Sequence, residues 1–366
     1  MKRMLFFITL FLWVIFFAET EVAGAATKIL IVPGHDNEYL GTDYRGMKEA
    51  DMNLALGEKL LKLFSTDKNF ETHITRNQSE YTNEFINYFV TELENIHKFI
   101  RDKRSAMIQN LNSGEIVEVS GVPHNTPPQT VIDRLYGINK WANENGVDIT
   151  IHIHFNDVPR KNRNLPGDYS GIAVYIPERQ FSNYKNSKAI ADSIFNRFYE
   201  LYAFSNLPKE DGGVVEDQAL IATGSNNTVN NAAMLIEYGY IYEPIFQNKK
   251  TIDVAISDLA LQTYLGIKDY FGWNNVFKSA YFPHNWKSNL KRGINNSLDV
   301  LSLQAALMRE GVYPPDGFSR NDCPLSGNFG NCTERAVKGF QRKYNLEPIG
   351  LVGSKTRAKL NKLYGI

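Results

Sequence analysis

Apolar residues recur along this chain with two different periods. Lys28-Ile29-Leu30-Ile31-Val32 is a continuous apolar run, as in a strand buried on both faces of a parallel sheet. Pro33-Gly34-His35 ends it. From residue 47 to 64 the period becomes helical, with Leu56, Leu60 and Leu63 on one stripe. Residues 71–75 suit a second strand. Over 83–111, Phe85, Ile86, Phe89, Leu93, Ile96 and Ile100 keep helical spacing, and Asn112-Ser113-Gly114 stops the helix. A polar stretch with Pro123, Pro127 and Pro128 leads to a helix over 134–145. Segments 148–155, 172–176 and 233–238 read as strands, and 188–202 and 252–270 as helices. Strands alternating with helices predict an α/β fold, a mostly parallel twisted sheet flanked by helices.

The pattern changes near Trp273. Residues 273–292 are aromatic and basic without a clear period, which predicts a linker or docking segment. Three short helical patterns follow. Leu298, Leu301, Leu303 and Leu307 mark the first. Thr333 is placed to cap the second, which buries Ala336, Val337, Phe340 and Tyr344, and the third spans about 354–363. Residues 293–366 are therefore expected to form a small three-helix domain.

A chain of 366 residues calls for two or more folded units. Its 43% hydrophobic and 22% charged residues fit globular protein. The formal charge is zero, which argues against a nucleic-acid partner. From Trp273 onward, 14 lysines and arginines face 6 carboxylates, so the C-terminal part carries +8 and the rest −8. A basic module favours anionic surfaces such as a cell envelope. At the N-terminus, Lys2 and Arg3 precede an apolar run over 4–18, and Ala23-Gly24-Ala25 follows. That is the layout of a secretory signal, expected at 1–25. The run is shorter than the ~20 residues that span a bilayer, so no stable membrane insertion is expected after cleavage. Export places the protein in the periplasm, the cell wall or outside the cell. It also makes Cys323 and Cys332, the two cysteines of the chain, an expected disulfide.

Four residues carry the candidate chemistry. His35, Glu49, His154 and Glu237 each fall where a strand ends or a helix begins. Ligands of open α/β sheets sit at the carboxyl ends of strands. Two imidazoles and a carboxylate can hold one Zn2+ and leave a fourth position for water. His35, Glu49 and His154 are the expected ligands. Glu237, in the apolar run Ala233-Met234-Leu235-Ile236-Glu237-Tyr238, needs a partner to be buried, and is the expected proton carrier. His152 and His154 share a strand face. His154 lies nearer the strand end, so His152 and Asn156 are taken as residues behind the ligands, and His152 stays open as the alternative ligand. This set suits hydrolysis of an amide.

The sequence resembles zinc-dependent N-acetylmuramoyl-L-alanine amidases of the Amidase_3 type. The likeness rests on Val32-Pro33-Gly34-His35, Glu49-Ala50-Asp51-Met52-Asn53-Leu54, Thr150-Ile151-His152-Ile153-His154-Phe155-Asn156, Gly171-Ile172-Ala173-Val174-Tyr175 and Leu235-Ile236-Glu237-Tyr238-Gly239-Tyr240. Val32 stands where the family usually has aspartate, and Asp36-Asn37-Glu38 replaces a glycine-rich loop. The resemblance implies a catalytic domain over 26–272 with an insertion at about 77–133, and cleavage between N-acetylmuramic acid and L-alanine. The alternatives are a zinc peptidase acting within stem peptides and an inactive wall-binding or activator protein. Beyond the 273–292 linker, Leu303-Gln304-Ala305-Ala306-Leu307 and Thr333-Glu334-Arg335-Ala336-Val337-Lys338-Gly339-Phe340-Gln341 resemble a peptidoglycan-binding domain. Peptidoglycan is thus the implied partner.

Overall fold

The computed structural model describes residues 25–77, 80–210, 212–225, 227–228, 231–273, 282 and 284–365. Nearly all of the expected signal lies outside these residues, as does the middle of the 273–292 segment. In chain order, β1 (Thr27–Pro33), β2 (Asp43–Tyr44) and β3 (Met47–Lys48) lead into α1 (Glu49–Ser65). β4 (Phe70–Ile74), β5 (Arg76–Asn77) and β6 (Glu80–Tyr81) precede α2 (Asn83–Thr91), α3 (Leu93–Ser113) and α4 (Gln129–Glu144). Then come β7 (Ile149–Asn156), β8 (Ala173–Pro177), α5 (Tyr184–Phe198), β9 (Val214–Asp217), β10 (Ala232–Tyr240) and α6 (Lys249–Tyr270). The C-terminal part holds α7 (Leu298–Arg309), α8 (Asn331–Lys343) and α9 (Ser354–Tyr364).

Among the described residues, six strands form one sheet in the order β4-β1-β7-β10-β8-β9. β4, β1, β7 and β10 run parallel. β8 opposes β10, and β9 runs with β8. The expected mostly parallel α/β sheet is the observed one.

The continuous apolar run of β1 has its reason here. Strand residues alternate faces. Ile29 and Ile31 pack into the main core with Leu56, Leu60 and Phe64 of α1. Leu30 and Val32 join a second cluster with Phe85 of α2 and Ile138 and Trp141 of α4. Helices therefore cover both faces, and neither side of the strand meets water.

The 83–111 pattern folds as two helices, broken at Glu92. The bend lets Phe85 of α2 pack with Trp141, while Ile96 and Ile100 of α3 pack with Tyr136. The Glu92 carboxylate itself receives Lys140 Nζ at 3.1 Å.

In the C-terminal part Ser297 caps α7, accepting from Val300 N. Thr333 is not the cap of α8: Gly330 occupies that position. Thr333 instead receives Gln304 Nε2 at 3.0 Å, inside the helix's first turn. Trp286, from the segment expected to be a linker, is 1% exposed and donates Nε1–H to Asp299 O at 2.8 Å. Cys323 and Cys332 are disulfide-bonded.

Candidate active site

β1, β7 and β10 bring their carboxyl ends together, and the candidate residues sit there. Glu237 on β10 is in register with His154 on β7, and Pro33 of β1 with Ile153. After Pro33 the chain turns sharply. Gly34 N bonds Ile153 O at 2.9 Å. His35 follows in the left-handed region, at φ 61, an uncommon conformation for a residue with a side chain. Gly34 has to be glycine, because a Cβ there would lie 2.3 Å from the His154 ring.

Glu49 is the first residue of α1, where the helix dipole favours a carboxylate. Its Oε1 lies 3.1 Å from His35 Nε2 and 3.0 Å from His154 Nδ1. Phe155 N and Thr42 N also donate to this carboxylate, at 3.3 and 3.1 Å. Burial alone would raise the Glu49 carboxyl. The hydrogen bonds and charge of His154 and His35 overcome that and hold it well below the usual carboxylate range.

The sequence-predicted ligands thus converge. One donor atom each from His35, Glu49 and His154 lies within 4.8 Å of the others. Two nitrogens and one oxygen at this separation fit a zinc ion with one position left open. His152 is elsewhere. It is fully buried beneath the site, and neither ring nitrogen has a partner among the described residues. Burial and the nearby His154 push its pKa down to about 3, so it is neutral.

Glu237 completes the constellation. Its Oε2 is shut from solvent and has no hydrogen-bond partner among the described residues. Burial, with the Glu49 and Glu210 carboxylates beside it, pushes the Glu237 carboxyl well above the usual range. A cation at the three ligands would relieve this, which is a second sign that the residues fit a metal.

Glu210 is a site residue that sequence reasoning missed. It is 1% exposed and accepts from Tyr175, Ser205 and Tyr240 hydroxyls and from Asn156 Nδ2 at 3.2 Å. Asn156, expected behind the ligands, therefore ties the end of β7 to this buried carboxylate. Glu210 lies in an irregular Leu-Pro-Lys-Glu stretch, which offers no period to single it out. A groove of about 1010 Å³ opens over His35, Glu49, His154 and Glu237, with Arg45 and Arg163 on its wall.

Residues 29–269 match the family model Amidase_3, described as N-acetylmuramoyl-L-alanine amidase. Residues 296–360 match the model of a peptidoglycan binding domain. No curated protein sequence matches the chain. Among solved structures, the N-acetylmuramoyl-L-alanine amidase from Clostridium difficile 630 is 18% identical, with a TM-score of 0.42, over 69% of this chain and 100% of that one. The catalytic domain of CwlV from Bacillus (Paenibacillus) polymyxa is 15% identical, with a TM-score of 0.42, over 67% and 98%. The amidase from Mycobacterium abscessus is 12% identical, with a TM-score of 0.42, over 67% and 98%.

Proposed function

This chain belongs to the N-acetylmuramoyl-L-alanine amidase family, and from that premise we propose that it is a zinc-dependent hydrolase cutting the amide between the lactyl group of N-acetylmuramic acid and L-alanine in peptidoglycan. The observation that carries this reading is the convergence of His35, Glu49 and His154 beside Glu237, whose Oε2 has no hydrogen-bond partner among the described residues.

Zinc held by His35, Glu49 and His154 would polarise the scissile carbonyl and acidify the attacking water. Glu237 then takes a proton from that water and hands it to the leaving nitrogen. The C–N bond breaks, and the products are a lactyl carboxylate and a free L-alanine amine. Glu49 is fixed by the amides of Thr42 and Phe155, which would hold its carboxylate in place as the third ligand. Asn156 and Glu210 brace the floor next to Glu237.

In this reading residues 26–272 form the catalytic domain, 273–292 the connection and 293–366 a wall-binding module. No helix among the described residues is long and apolar enough to cross a membrane. The signal-like residues 1–25 and the peptidoglycan-binding module support action in the periplasm, in the cell wall or outside the cell.

Digestion of purified walls tests the proposal. Mass spectrometry is expected to find intact stem peptides with a free L-alanine amine, and chelation to abolish their release. Fragments cut inside the stem peptide would replace the amidase by a peptidase. No products from protein that binds no zinc would leave a wall-binding protein.

A further inference from the structure

The segment between α3 and α4 forms no strand of its own. Side chains from beneath hold it. Gln180 bonds Val117 N and O at 2.8 and 3.0 Å. Gln218 bonds Val119 N and Val117 O, both at 3.0 Å. Lys209 Nζ donates to Gly121 O at 2.8 Å. Further along, His124 Nε2 lies 2.7 Å from Asp217 Oδ2.

Asp217 is a rigid partner. It is 1% exposed, and its other oxygen accepts the amides of Ala219 and Leu220, each at 2.7 Å. A carboxylate only accepts, so His124 Nε2 carries the proton that faces it. In the neutral imidazole Nδ1 then keeps its lone pair. Nothing among the described residues is hydrogen-bonded to that atom. The ring is further fixed edge-on to Tyr175, centroids 5.7 Å apart.

His124 lines a cavity of about 540 Å³ whose wall also includes His35 and His154. The rest of that wall is largely apolar, with Leu40, Val131, Leu135 and Leu220. Asn125 lines both this cavity and the polar groove over Glu237. A substrate whose scissile bond lies at the three ligands therefore has two compartments to enter, one polar and one apolar. In the apolar one His124 offers an oriented acceptor.

We propose that His124, supplied by the insertion and oriented by Asp217, is a substrate-binding residue whose Nδ1 accepts a hydrogen bond from an uncharged N–H or O–H of the muramyl peptide. The assignment rests on the amidase reading above. The wall is largely apolar and its Arg134 and Asp36 are already paired with each other, which favours such a group at His124. A carboxylate would face a lone pair, and an ammonium would lose its water without gaining a countercharge. The donor is an amide on either the sugar side or the peptide side of the cut.

Asp217→Asn separates this role from a mere latch. The asparagine oxygen can still accept from Ala219 and Leu220, while its NH2 faces His124. The imidazole stays hydrogen-bonded but with the proton moved to Nδ1, so it can no longer accept. Measured on the full-length, zinc-loaded protein with an N-acetylmuramoyl peptide, D217N should raise KM roughly three- to tenfold, the size of one neutral hydrogen bond. kcat should stay within about twofold, with zinc content and melting temperature unchanged. Imidazole ¹⁵N shifts should report the change of tautomer. H124F should show the same KM penalty, and H124Q, which keeps a donor toward Asp217 and an acceptor, should recover part of it.

The penalty should vanish on a substrate lacking the donor. A 2-deoxy sugar without the whole acetamido group tests one side, and an ester in place of the second peptide amide tests the other. An unchanged KM in D217N and H124F overturns the proposal, as does a penalty that persists on both modified substrates. A drop in melting temperature with parallel loss of kcat makes the pair a structural latch and overturns it too. Wild-type protein that cuts stem peptides but not the muramyl amide is a distinct result: it removes the amidase reading itself, and this assignment with it.

Discussion

Glu237 is in register with His154 across two paired strands, yet its Oε2 has no hydrogen-bond partner among the described residues. If it moves the proton, Glu237→Gln keeps the shape and the zinc but loses turnover by about 10²–10⁴-fold. Metal analysis beside a rate measurement checks this, and a fully active E237Q protein would remove the role. The two histidines of β7 give the complementary test. His154 shares the Glu49 carboxylate with His35, whereas His152 is neutral and touches none of that set through a hydrogen bond. His154→Ala should therefore abolish stoichiometric zinc binding. His152→Leu should retain it and change stability by no more than about 1–2 kcal/mol, because it removes an unsatisfied polar ring. The reverse outcome would make His152 the ligand. Alternation along the strand put both rings on one face, so the sequence alone left this choice to position along the strand. Convergence on one carboxylate oxygen is a long-range fact, set by how α1 docks on β1 and β7. Glu210 and His124 were illegible for the opposite reason: each sits in a loop whose path is set by side-chain bonds and by no periodic pattern.

Elements were legible in proportion to the surface they bury. β1, β7 and β10 are largely buried on both faces and stood out, while β9, with Val214, Val215, Glu216 and Asp217 at the sheet edge, was too short and mixed to read as a strand. The 83–111 helix was read by its stripe, but a stripe does not reveal the break at Glu92 that lets its two halves follow α4. Contacts between elements also carry measurable electrostatics. Asp67, between α1 and β4, accepts Lys268 Nζ at 2.8 Å and Tyr264 Oη at 2.7 Å from α6. Burial would raise this carboxyl, but those bonds and the Asn69 amide outweigh it and bring the pKa down to about 2. A depressed carboxyl stabilises the fold above its unfolded pKa, and that contribution is lost as pH falls through the folded value. Asp67→Asn is therefore expected to cost about 1–2 kcal/mol at pH 7. The gap from wild type should close between about pH 4 and pH 2, as followed by urea melts across that range. A gap independent of pH would assign the loss to packing.

At the scale of the whole molecule, the three-helix module does not hang free. Asn321 Nδ2 donates to Ser170 O and Phe204 O, at 3.0 and 2.9 Å. Arg320 donates to Tyr202 O at 3.0 Å and to Tyr199 O, with its guanidinium 4.4 Å from the Tyr199 ring centre. Both residues precede Cys323, whose disulfide to Cys332 ties this loop to the start of α8. Leu201, Tyr202, Ile245 and Phe246 meet Met308, Pro324 and Leu325 around a small cavity. The sequence marked Cys323 in this loop as a disulfide partner of Cys332, but nothing in its composition says what the loop touches. Its contacts tie the peptidoglycan-binding module to the end of α5 and to the chain around Ser170 and Phe204. A flexible tether raises local concentration in all directions, whereas a rigid one favours bonds at one distance and orientation from the anchor. The double variant Arg320→Ala, Asn321→Ala removes the hook and leaves the site and the module's core alone. It should split one thermal unfolding transition into two. Turnover of a soluble muramyl peptide should remain within about twofold, since the chemistry does not involve the module, while release of stem peptides from intact walls falls several-fold. Equal rates on soluble and wall-bound substrate would show that docking adds stability only. If both rates fall together, the hook supports the catalytic fold itself, through the α5 end and the Ile172 strand entry that it clamps.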